Sequence, residues 1–102
     1  MKNIRLFVAL FLLFGLGGPL LAAINCSNPN SNVERLICTS SRASVAHEQL
    51  AFSYNLAMRR GVDIKMLQES QIDWYENVLS VCNDVNCVVQ AMDERSYELE
   101  NY

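Results

Sequence analysis

Four cysteines stand in two local pairs, Cys26 with Cys38 and Cys82 with Cys87, and theirs is the side-chain chemistry most legible in the chain. Thiolates can hold zinc, but structural zinc sites favour close pairs with two to four residues between them, and only the second pair is that close. In an exported protein, thiols meet an oxidant first, so disulfides are the expected product and no metal is expected. Four cysteines allow three pairings. Cys82 at the end of one helix and Cys87 at the start of the next could meet across a bend, leaving Cys26 to tie an N-terminal lead-in onto Cys38. By the chain-entropy argument, that longer loop is worth about 3 kcal/mol.

Other reactive groups lack the company that catalysis needs. His47 is the only histidine. Its neighbours at helical spacing are Ala43, Ser44, Leu50 and Ala51, and Glu48 points elsewhere on a helix, so no acid orients the ring for a nucleophile. A solvated surface histidine is expected. Two carboxylates suffice for glycoside hydrolysis, and there are 11 Asp and Glu. They fall mostly at caps or on polar helix faces. No phosphate loop, dinucleotide fingerprint or metal-binding histidine pair occurs, so no catalytic residue, enzyme activity or cofactor is expected.

The positioning elements begin after residue 23. Lys2 and Arg5 precede an apolar run from Leu6 to Leu16, broken by Gly17, Gly18 and Pro19 before the small pair Ala22 and Ala23. This order predicts a cleaved signal peptide over 1–23 and one domain over 24–102, destined for the periplasm or for secretion. The run is too short and broken for a stable membrane span, which needs about 20 apolar residues. Loss of Lys2 and Arg5 with the leader leaves six basic against the 11 acidic residues, five net negative charges. That sign argues against nucleic acid or an anionic membrane as partner and permits a basic protein.

Only Gly61 and Pro29 break the 24–102 segment, and no strand-like alternation occurs. An all-α, disulfide-stapled bundle of three to four helices follows. Ser31 and Glu34 have capping-box spacing and start a short helix through Cys38. A second helix is expected over about Ser41 to Arg60, with Ala43, Ala46, Leu50, Tyr54 and Ala57 on its buried face, widened by Val45, Phe52 and Leu56. Gly61 stops it, and Asp63 caps a third helix whose stripe is Ile64, Leu67, Gln71, Trp74, Tyr75, Val78, Leu79 and Cys82. Asn83 and Asp84 turn the chain into a fourth helix marked by Val85, Val88, Val89, Met92 and Leu99. Trp74 and Tyr75 are read as core rather than as exposed anchors.

The lead-in differs from everything after it. Cys26-Ser27-Asn28-Pro29-Asn30-Ser31-Asn32 is too hydrophilic for a core and is expected to be held at both ends, and a rigid exposed loop is a binding device. Ser27, Asn28, Asn30 and Asn32 are the candidate binding residues, with Asn83 to Asn86 joining them if the two stapled corners share a side.

Taken in order, Cys26, Val33-Glu34-Arg35 to Ile37-Cys38, Leu50 with Tyr54, Gln71 with Trp74, Cys82, Cys87, Ala91 and Arg95 resemble the domain at the N-terminus of LprI-type lysozyme inhibitors, small exported bacterial proteins. The resemblance spans essentially the whole 24–102 segment. It departs at Ala46-His47, where the family usually has Leu-Asp, and at Val78, where an arginine is expected. The resemblance implies a helical fold and a non-catalytic protein that binds a lysozyme. The competing expectation is an accessory domain docking on another envelope protein through Trp74, Tyr75 or Tyr97.

Overall fold

A computed structural model describes residues 24–102; the expected leader, 1–23, lies outside the described residues. Four helices follow in order: α1 (Asn32–Thr39), α2 (Ser41–Arg59), α3 (Ile64–Trp74) and α4 (Val85–Glu100), with a π-helical segment, Tyr75–Leu79, continuing α3. No strand occurs among the described residues. None of the helices is long and apolar enough to cross a membrane.

Each helix starts where a short polar side chain can take up a free backbone donor. Ser31 Oγ accepts from Glu34 N at 3.1 Å, Ser40 Oγ from Ala43 N at 3.3 Å, Asp63 Oδ1 from Met66 N at 3.1 Å and Asp84 Oδ1 from Cys87 N at 2.8 Å. The first cap departs from the expected box. Glu34 Oε1 reaches past Ser31 to accept from Asn30 N at 2.8 Å, which fastens the lead-in instead of closing the cap on itself. Gly61, at φ +83°, adopts the left-handed stop after α2 that costs a residue without a Cβ least.

α2 and α4 make the most extensive contact between elements. Arg42 Nη1 donates to Asn86 Oδ1 at 3.0 Å near both helix starts, and Ser53 Oγ donates to Glu100 Oε2 at 3.3 Å near the end of α4. The two helices therefore run parallel, and α3 with its π segment is the return limb between them. The core is built from Ala43, Ala46, Leu50, Tyr54 and Ala57 of α2, Val88, Met92 and Leu99 of α4, Val33 and Ile37 of α1, and Leu67, Trp74, Leu79 and Cys82 of the return limb. Trp74 is 8% exposed, as expected of a core residue.

The expected stripes need three corrections. Val45 and Phe52 do not widen the buried face of α2, because they stand 64% and 58% exposed on its outer side. Ile64, in the first turn of α3, is also exposed. Val78 is exposed because Ser80 N donates to Tyr75 O at 2.8 Å, a bond spanning five residues. The extra residue in that turn rotates the buried register from the position four after Trp74 to Leu79, five after it, and on to Cys82.

Candidate functional site

Both expected disulfides are formed, Cys26 to Cys38 and Cys82 to Cys87, with Cα separations of 5.5 and 5.4 Å, and none of the described cysteines is free. Paired cysteines of this kind belong to an oxidising, extracellular-type environment. Among the described residues no three His, Cys, Asp or Glu side chains gather as a metal site.

The lead-in folds as a small tied loop. Asn28 N donates to Asn25 O at 3.1 Å and Ser27 N to Asn25 Oδ1 at 3.0 Å, closing a turn around the Cys26 staple. Asn30 N is held by Glu34, Ser31 by its capping bond, and Asn32 Oδ1 accepts from Arg35 Nη2. Ser27, Asn28, Asn30 and Asn32 are all exposed. The structure thus keeps Ser27, Asn28 and Asn30 on one loop, with Asn32 following as the first residue of α1. It also brings the staples near each other, since Cys38 stands four residues before Arg42 and Arg42 bonds Asn86, the neighbour of Cys87. Asn83 and Asn86 are exposed at that same end.

His47 departs from the solvated expectation. It is half-buried, its Nε2 is buried with no hydrogen-bond partner among the described residues, and burial holds its pKa below the ordinary imidazole value. Glu48 and Glu34 pull weakly the other way. Position 47 lies between two residues that the stripe marks as buried and outer, so a period count alone does not place it.

A buried polar network escaped the sequence reading. Arg95, 6% exposed, donates from Nε to Gln71 Oε1 at 2.8 Å, from Nη2 to Ser70 Oγ at 2.7 Å and from Nη1 to Glu98 Oε1 at 3.2 Å. Its charge also opposes the burial that raises the Tyr54 pKa. A buried guanidinium is tolerable only with its donors occupied, and here polar residues of α3 and one exposed carboxylate of α4 occupy them. The signal was present: Val88, Met92, Arg95 and Leu99 share one helical stripe, so the arginine had to be buried with the rest.

Comparison with known proteins finds no matching family model, no matching curated protein and no matching solved structure.

Proposed function

We propose that this chain is an exported, non-catalytic protein that binds and blocks a cell-wall-degrading lysozyme, with the Ser27 to Asn32 loop as the inserted element. The observation that supports it is the loop's construction: an exposed row of hydroxyls and amides, fixed by a disulfide at one end and by the Glu34 and Ser31 bonds at the other. A loop ordered before contact loses little freedom on binding. Its uncharged donors and acceptors suit a sugar-binding cleft. The acidic charge of the 24–102 segment would draw it toward a basic enzyme before contact. The Asn83 to Asn86 turn at the same end extends the contact surface.

The resemblance to LprI-type inhibitors carries the target class, and the loop carries the mode. The accessory-domain reading loses Trp74 as an anchor, since that ring is buried, but keeps Tyr97, which is 70% exposed. The test is to add the oxidised protein to cell-wall suspensions cleared by several lysozyme types. Slower clearing by at least one type is expected, and replacing Ser27, Asn28 and Asn30 together with Ala should relieve it without altering the melting temperature. Full inhibition by the triple variant would remove the loop from the mechanism. No inhibition of any type would leave the accessory domain as the reading.

A further inference from the structure

A protease that takes Arg or Lys into an acidic pocket needs the chain on either side extended, so helices resist it and exposed turns with small residues do not. Arg35, Arg42, Lys65 and Arg95 lie within α1, α2, α3 and α4. Among the described residues, Arg60–Gly61 is the one bond after Arg or Lys with both of its residues outside a helix. A second arginine, Arg59, stands directly before it. Arg59, Arg60, Gly61 and Asp63 are exposed, while Val62 turns toward the core. A Cβ at Gly61 would meet nothing within 4 Å, so the outer side of the turn is open to an approaching enzyme.

Backbone bonds hold this turn only at its edge. Arg60 N is shared between Leu56 O at 3.1 Å and Ala57 O at 3.2 Å, and Gly61 N reaches Met58 O at 3.4 Å, a long bond. On the other side, the first bond of α3 runs from Leu67 N to Asp63 O, which leaves Val62 outside both helical ladders. A helix end held this way opens at small cost without the rest of the fold. The further tether is Arg60 Nη2, which donates to Leu99 O at the end of α4. An acidic pocket offers that guanidinium a carboxylate in place of a carbonyl, and the charged acceptor is the stronger partner.

We infer that the Arg59-Arg60-Gly61 turn is a processing site for an arginine-specific, trypsin-like endoprotease, and that the cut protein stays assembled as two chains. Hydrolysis adds one water across the Arg60–Gly61 peptide bond, leaving a carboxylate on Arg60 and an ammonium on Gly61. No disulfide spans the cut, because Cys26–Cys38 stays with α1 and α2 and Cys82–Cys87 with α3 and α4. Chains of about 40 residues or fewer usually need a staple, and each half keeps one. The halves share the α2–α4 interface, where Leu50 and Tyr54 meet the core residues of α4 and the Arg42–Asn86 and Ser53–Glu100 bonds cross. Cutting changes the folding reaction in kind: the intact chain folds alone, whereas the cut protein needs two chains to meet, so its stability depends on concentration. The inference uses neither the lead-in nor its target and does not depend on the lysozyme reading.

The probe is limiting trypsin, added to the protein with both disulfides intact. Mass spectrometry should find the first cut after Arg59 or Arg60. The two products should separate on a denaturing gel without reductant, yet elute together from a sizing column with the helical circular dichroism of the intact protein. The melting temperature of the cut protein should rise with its concentration, and that of the intact protein should not. Low urea should barely change the cutting rate, as expected of a local opening. Arg59→Gln with Arg60→Gln should slow cutting at the turn by about a hundredfold or more, and Arg42→Gln should leave it unchanged, with the fold of each checked by circular dichroism. A first cut after Arg35, Arg42, Lys65 or Arg95 would overturn the site, as would a cutting rate that climbs with urea in step with global unfolding. Fragments that part on the sizing column would overturn the two-chain form.

Discussion

Arg95 Nε and Gln71 Oε1 are 2.8 Å apart in the interior, and this bond joins the return limb to α4 through a charge that has almost no contact with water. The consequence is asymmetric. Gln71→Leu should cost about 2 to 3 kcal/mol, because it leaves a buried guanidinium donor unpaired. Combining Gln71→Leu with Arg95→Met should cost less than Gln71→Leu alone, since charge and partner leave together. Urea unfolding of the parent, the two single variants and the double variant closes the cycle, and simple additivity would show that the pair is not coupled.

Trp74→Ala should lower stability by about 3 to 5 kcal/mol, because the ring fills the core at the start of the π segment. An unchanged melting temperature would contradict its buried position.

The two staples should contribute unequally. Replacing Cys26 and Cys38, 12 positions apart, together with Ser opens the longer loop and should cost about 3 kcal/mol, whereas the Cys82 and Cys87 pair, five apart, should cost about 2 kcal/mol. Thermal unfolding of the two double variants ranks them. If the lead-in acts by being rigid, only the first replacement should also weaken inhibition.

His47 sets a pH dependence whose sign follows from burial. Its folded pKa lies below the ordinary 6.5, so the unfolded chain binds the proton more readily. Stability contributed by the neutral ring is complete above pH 6.5 and is lost as pH falls below it toward the folded value. His47→Gln should flatten the stability profile in that window. A profile unchanged by the substitution would assign the acid sensitivity to other groups.

Much of this arrangement is legible in residue order because short-range physics dictates it. Ser31, Asp63 and Gly61 act where cap and stop chemistry put them, and both cysteine pairs close the shortest loops available. The misplaced residues depend on long-range relations. Val78 is misread because one inserted residue in the Tyr75–Leu79 turn shifts a register that a constant period cannot follow. Val45 and Phe52 are misread because the width of a buried face depends on how many helices pack on it, and α2 is covered along only part of its circumference. His47 sits on that same boundary. The candidate loop is legible because polarity, Pro29 and a flanking cysteine all mark it, whereas the Arg95–Gln71 bond joins two helices that the sequence does not place side by side.

The parallel course of α2 and α4 governs how the molecule must be made. The contacts that define it, Arg42 with Asn86 and Ser53 with Glu100, join positions 44 and 47 residues apart. A helical protein usually folds quickly because neighbouring segments pair as they form, but here the largest interface waits until the return limb has been traversed. During synthesis, α2 must carry Leu50 and Tyr54 without their α4 partners until α4 has emerged to meet them. The nascent chain is therefore most open to aggregation and proteolysis in the interval before α4 emerges.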